Sequence, residues 1–256
     1  MMQYLSNLWF LCPAILIGNF IDAVAGGGGL ITLPAYMLTG MPIHYAYGCN
    51  KFSSSVGVTI ATSQYLRSKV LDLNIAVIAA AAALAGSAIG AKVALSVSEQ
   101  ALKTVVTVVL PFVAVFLILN RHKETEMKQS LEPGVKTAVI ALVLGLAIGF
   151  YDGIIGPGTG TFAIMAYHYI MKYDLRTASG NSKLLNLASN YAALATYITA
   201  GTIYFEIAVP AAVCGILGSY LGSKMAIKKG AVFIRPIMII VILLLLGKMV
   251  LDLFNR

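Results

Sequence analysis

Long apolar runs broken by short polar ones set the organisation of this chain. In the first half they cover about 8–24, 30–40, 47–66, 74–95 and 103–120. In the second half they cover about 135–152, 158–171, 178–200, 205–227 and 235–253. Residues 120–134, Asn120 to Gly134, form the only long hydrophilic stretch. A helix needs roughly 20 apolar residues to span the hydrocarbon of a bilayer. Most of the runs meet that length, and the second run of each half is short for it. Each short run directly follows a glycine cluster: Asp22-Ala-Val-Ala-Gly-Gly-Gly-Gly29 in one half, Asp152-Gly-Ile-Ile-Gly-Pro-Gly-Thr-Gly160 in the other. A glycine inside a helix costs about 0.8–1.0 kcal/mol relative to Ala, so these clusters predict helix breaks. The first two segments of each half then form either interrupted crossings or a re-entrant pair.

Composition agrees. The chain is 59% hydrophobic and 11% charged, against about 25% charged in soluble domains. The expected class is an all-α polytopic membrane protein. The net charge of +8 comes mostly from loops and segment ends, as at cytoplasmic membrane flanks. No basic patch interleaved with aromatics points to nucleic acid. Cys12, Cys49 and Cys214 lie in apolar segments without metal-ligand spacing and read as small buried hydrophobes. The N-terminus lacks the basic region of a cleaved signal peptide, so the first segment is expected to stay.

The halves repeat one another. Residues 46–94 align without a gap on 178–226, with about a third of positions identical. Apolar bias inflates such a figure, so the polar and glycine matches carry the inference: Gly48/Gly180, Lys51/Lys183, Tyr65/Tyr197, Gly86-Ser87/Gly218-Ser219, Gly90/Gly222 and Lys92/Lys224. The expected division is a first repeat at 1–120, a polar cytoplasmic loop at 121–134 and a second repeat at 135–256. Each repeat supplies a Gly-rich broken or re-entrant pair plus three transmembrane helices. An odd number of crossings per repeat makes the two inverted. Charge supports this. Arg67 and Lys69 follow the third segment of the first half, while the matching loop, Gly201 to Glu206, has no basic residue. Lys172, Arg176, Lys224, Lys228, Lys229 and Arg235 enrich the ends that inversion puts on the same side as the central loop. That side is expected to be cytoplasmic, with both termini extracytoplasmic, in the inner (plasma) membrane.

Inverted repeats with paired helix breaks mark secondary transporters, whose sites lie near the midplane on half-helix N-termini. Free backbone inside a membrane survives only where protein buries it or a wet cavity receives it. Gly26, Gly27, Gly28 and Gly29, with Gly156, Gly158, Thr159 and Gly160, are therefore candidate site backbone. Helix N-termini attract anions, which makes a small anion the simplest substrate. Asp22 and Asp152 are costly intramembrane carboxylates; they either carry a coupling proton or cap the following half-helix. The third segments carry polar stripes: Asn50, Lys51, Ser54, Ser55, Thr59 and Thr62 in one, Ser182, Lys183, Asn186, Ser189 and Asn190 in the other. Lys51 and Lys183 stand in first turns, where a cation opposes the helix dipole. They hold an anion, pair with Asp22 and Asp152, or snorkel to the headgroups. The glycine-rich Gly86–Gly90 and Gly218–Gly222 stretches read as close-packing surfaces, and His44, His122 and His168 as structural. P-loops, nucleophile elbows and zinc helices are absent. No enzyme activity, metal or cofactor is expected.

At these motifs the chain resembles the sulfite exporter TauE/SafE (TSUP) family of membrane permeases. The resemblance covers nearly the whole length. It rests on IDAVAGGGGLITLPA (21–35), YGCNKFSSSVG (47–57), GFYDGIIGPGTGTF (149–162), ASGNSKLLNLASN (178–190) and the paired GSxxGxK stretches. It implies transport of a sulfur-containing or organic anion such as sulfite, sulfonate, sulfoacetate or thiosulfate. Asn50, Lys51, Asn181, Lys183 and Asn186 would assist the glycine backbone. The family's first polar helix commonly opens Thr-Asn-Lys; here Cys49 replaces the hydroxyl and places a thiol near the expected site. Two rival readings are a cation-coupled carrier of another metabolite and the membrane subunit of a larger assembly. Direction of transport, coupling ion and oligomeric state are not written in these motifs.

Overall fold

A computed structural model describes residues 6–98, 100–101, 104, 134–234, 236–238 and 240. Most of the expected segments at 103–120 and 235–253, and most of the polar loop, lie outside those residues.

The described residues are helical, without strands. The first half gives α1 (Leu8–Ala25), α2 (Gly29–Leu38), α3 (Ile43–Arg67) and α4 (Leu73–Ser96). The second gives α5 (Val135–Ile154), α6 (Thr159–Met165, continued by a π-helical turn over Ala166–Ile170), α7 (Leu175–Thr199) and α8 (Phe205–Lys229). Local chemistry sets the ends. Asp72 caps α4 by accepting from the Ile75 N–H at 3.3 Å, and Asp174 caps α7 by accepting from Arg176 and Thr177 at 2.9 and 3.1 Å. The breaks fall at the glycine clusters. Gly26 ends α1 at φ 76°, and Gly156 and Gly158 separate α5 from α6 at φ 85° and 86°. These are left-handed conformations that a Cβ disfavours.

After the first break the chain doubles back. Gly28 packs on Gly18 and Asp22, Thr32 packs on Gly18, and the Asn7 side chain donates to the Thr39 carbonyl at 3.4 Å. As α2 advances its partners on α1 recede, so the two are antiparallel and the short segment does not continue the first.

Helices pack across the halves. A methyl on Gly145 would strike Ala79, one on Gly149 would strike Ala83, and one on Gly153 would strike Ser87. This four-residue ladder makes α4 and α5 parallel and brings their backbones together. Gly218 against Leu16 and Gly222 against Phe20 do the same for α8 and α1. The contacts are reciprocal. Gly48 abuts the Thr202 carbonyl, and its partner in the repeat, Gly180, abuts that of Val70. Between α3 and α7 the contacts run Thr59–Tyr191, Thr62–Lys183 and Tyr65–Ser179. Rising numbers meet falling ones, so these two corresponding helices are antiparallel.

Among the described residues four helices, α1, α4, α5 and α8, are long and apolar enough to cross a membrane. Their outward faces carry exposed apolar side chains, including Val77 and Leu84 on α4, Val139 and Val143 on α5, and Val213 and Leu217 on α8. Helices α3 and α7 have 25 residues each but carry the polar stripes. They are the interior pair: Ser53, Ser55, Thr62, Ser179, Ser182, Ser189 and Asn190 are all buried. That is where polar groups in an otherwise apolar bundle find partners.

Candidate functional site

The two breaks meet. Gly26 crosses Gly160 so closely that a methyl on either would overlap the other's backbone. The Thr161 N–H donates to the Gly26 carbonyl at 3.2 Å, and the Thr161 hydroxyl to that of Ala25 at 2.8 Å. Only glycine permits this crossing, which explains why the sequence places glycines there.

A cavity of about 30 Å³ opens beside the crossing, enough for one or two waters. From the breaks, Gly26, Gly29, Gly156, Thr159 and Gly160 line it; from the polar stripes, Asn50, Lys51, Ser54, Asn186 and Asn190 do; Asp22 and Asp152 complete the wall. Gly29 and Gly160 are the first and second residues of their helices, where amide N–H groups lack an intrahelical acceptor.

Two lysine–carboxylate pairs join the halves. Lys51 Nζ donates to Asp152 Oδ2 at 2.8 Å. Lys183 Nζ lies 3.4 Å from Asp22 Oδ2 and also donates to the Asp22 main-chain carbonyl. The lysines are 2% and 0% exposed, which rules out snorkelling. Asp22 takes two further donors, the Gly28 N–H at 3.4 Å and Asn186 Nδ2 at 3.3 Å. It thus both pairs with a lysine and holds the Gly28 N–H just ahead of α2.

The remaining sequence candidates lie elsewhere. Gly27, Gly28 and Gly158 do not line the cavity, and Lys183 is buried behind Asp22. Asn181 accepts from the Asp72 N–H at 2.8 Å and so secures the α3–α4 turn rather than a ligand. Cys49 packs against the Tyr204 main chain, its sulfur accepting from the Tyr204 N–H at 3.4 Å. The expected thiol near the site is therefore not in the cavity; two residues from Lys51, it points to another face of α3. Conversely, Ser54 and Asn190 line the cavity without having been singled out beyond the stripes. Their signal was spacing: each stands four residues beyond a cavity asparagine, Asn50 or Asn186, on the same helix face. His44 and His168 contact main-chain carbonyls of Ala94 and Tyr173 at 3.2 and 2.7 Å. Among the described residues no group of three or more metal-ligating side chains occurs.

The profile of the family described as "Sulfite exporter TauE/SafE" matches residues 11–249. A probable membrane transporter protein of Haemophilus influenzae is 33% identical over 241 residues, covering 92% of this chain and 91% of that protein. The probable membrane transporter protein ORF9 of a Sinorhizobium species is 32% identical, covering 96% and 93%. The probable membrane transporter protein YfcA of Escherichia coli is 30% identical, covering 98% and 95%. No solved structure matches. The matched span includes both glycine breaks, both lysine–carboxylate pairs and all the cavity residues, and the chain belongs to the sulfite exporter TauE/SafE family.

Proposed function

We propose that this membrane transporter is a secondary permease for a small organic or sulfur-containing anion, bound between two inverted repeats. The observation that carries the reading is the cavity at the Gly26–Gly160 crossing, which both repeats wall with glycine backbone, asparagines and a buried ammonium. Amide N–H groups, asparagine amides and Lys51 are donors, the chemistry that sulfite, sulfonate and carboxylate oxygens require. The antiparallel α3 and α7 and the reciprocal glycine contacts support inversion. The doubling back of α2 supports a re-entrant hairpin whose turn presents backbone to the site. Residues 1–120 and 135–256 would form the repeats. The chain would cross the inner membrane several times, with the loop at 121–134 cytoplasmic and both termini extracytoplasmic.

Alternating access would widen the small cavity from one side and then the other. The cross-half packing favours α1 with α8 and α4 with α5 as the units that shift, rather than one repeat against the other. Thermal-shift measurements on purified protein against sulfite, thiosulfate, sulfoacetate, methanesulfonate and matched carboxylates test the reading. A binder at a hundred times its Kd stabilises by about 2.7 kcal/mol. Stabilisation by anions that is lost in Lys51→Ala supports the proposal. Stabilisation by cations alone overturns it in favour of a cation-coupled carrier with Asp22 and Asp152 as ligands.

A further inference from the structure

The two lysine–carboxylate pairs are equivalent in sequence but not in surroundings. Asp22 receives the Gly28 N–H, Asn186 and Lys183, and Lys183 also holds the Asp22 main chain. Among the described residues Asp152 receives one side-chain donor, Lys51. The space beside each pair differs too. A methyl on Gly26, next to Asp22, would collide with the Gly160 backbone. A methyl on Gly156, next to Asp152, would stand 3.7 Å from Lys51 Nζ and 3.8 Å from Asp152 Oδ1 with nothing closer than 3.5 Å. That open seat touches both members of the pair. The helices behind the pairs differ in the same sense. The Tyr65 and Ser179 hydroxyls lie 2.9 Å apart and within reach of the Ala23 and Val24 carbonyls, so their two protons are shared between each other and the end of α1, which ties it down. Their counterparts, Tyr197 and Tyr47, stack at 6.3 Å, and among the described residues neither buried hydroxyl has a hydrogen-bond partner, so no such tie to the end of α5 is seen there.

We infer that the pairs have divided the work: Lys183–Asp22 is a fixed clamp, while Lys51–Asp152 is an exchange site in which one proton on Asp152 and one monoanion on Lys51 replace the ion pair. This rests on the permease reading. The charge balance sets the substrate class. Before exchange the site holds one carboxylate and one ammonium. Afterwards it holds a neutral carboxyl, the same ammonium and a bound anion. The sum is zero both times only for a monoanion, so a sulfonate or bisulfite fits and a dianion leaves a buried negative charge. The proton comes from the side to which the cavity opens, and the anion takes the acceptor position that the carboxylate gives up. Around Asp152 the titratable groups are Lys51 and Tyr47 from α3, Tyr197 from α7, Tyr151 on its own helix and Asp22 across the cavity. Helix α4 meets α5 through Ala79, Ala83, Ser87 and Gly90 and adds none.

Calorimetry of full-length protein with methanesulfonate, in buffers of different ionisation enthalpy, counts the protons taken up. About one proton per anion is expected in wild type, with affinity rising up to about tenfold per unit fall in pH. Sulfate should bind at least tenfold more weakly. Asp152→Asn should take up none and bind with pH-independent affinity. Asp22→Asn should melt lower, because it leaves the Lys183 ammonium buried without its carboxylate. Infrared difference spectra give a readout that needs no Asp152 variant: methanesulfonate should raise a protonated-carboxyl band in wild type. Uptake in Asp152→Asn, an Asp22→Asn that melts as wild type does, binding without a carboxyl band, or a preference for sulfate overturns the inference alone. Binding of no anion at all to wild type overturns the permease reading and the inference with it.

Discussion

Gly26 and Gly160 touch through their main chains, with no room for a side chain on either. Gly26→Ala and Gly160→Ala must therefore push the two breaks apart, and the neighbouring Thr161–Gly26 hydrogen bond with them. Both variants should lose the monodisperse peak in fluorescence-detected size exclusion. Gly40→Ala is the control: Gly40 has φ 81° but nothing within 4 Å. It should cost only about 1–2 kcal/mol, the penalty of a left-handed Cβ. Equal behaviour of all three would mean that the crossing is not tight.

Asn181 separates stability from binding. Its Oδ1 accepts from the Asp72 N–H, and Asp72 in turn caps α4 and accepts from the Tyr173 hydroxyl at 2.6 Å. Asn181→Ala should lower stability by about 0.5–1.5 kcal/mol, the net worth of one hydrogen bond. Anion affinity should not change, because Asn181 does not line the cavity. Melting curves and titrations on the same preparation check both halves of this statement.

Ser54 and Asn190 should behave in the opposite way. Asn190 Nδ2 donates to the Asn186 carbonyl and to its Oδ1 at 2.8 and 2.7 Å, which orients that amide in the cavity wall. Asn190→Ala and Ser54→Ala should each weaken anion binding by about 2- to 12-fold, equivalent to one hydrogen bond of 0.5–1.5 kcal/mol. An unchanged Kd in both would remove the stripes from the site.

Much of this was legible because repetition filters chance. One glycine cluster or one buried lysine has many explanations, whereas Asp22/Asp152 and Lys51/Lys183 recur at matching positions. The partner of each lysine was not legible, because pairing crosses from one half to the other and periodicity along a helix carries no such information. Asn181 and Asn50 both stand just ahead of a stripe lysine, by two residues and by one. Their helices turn one to the Asp72 turn and the other to the cavity. The face of Cys49 was missed for the same reason: two residues from Lys51, it is rotated about 200° from it on a helix of 3.6 residues per turn.

Cys12 on α1 and Cys214 on α8 are within side-chain hydrogen-bond reach of one another. Parallel packing of α1 and α8 in the observed register predicts that copper-phenanthroline joins them. The two thiols lose two protons and two electrons to the oxidant, and two fewer maleimides then add on denaturation. Cys49, buried against Tyr204, should stay reactive after unfolding. Retention of all three thiols would contradict the register.

The interleaving of the halves also bears on how the protein is made. Lys51 precedes its carboxylate by 101 residues, and Asp22 precedes its lysine by 161. At about 5–20 residues per second, Asp22 waits roughly 8–32 s after synthesis before its partner exists. During that interval the nascent chain holds unneutralised charges among apolar segments. The first half must then be sheltered by the insertion machinery or a membrane chaperone, and an N-terminal fragment ending before Asp152 should be a substrate for membrane proteolysis.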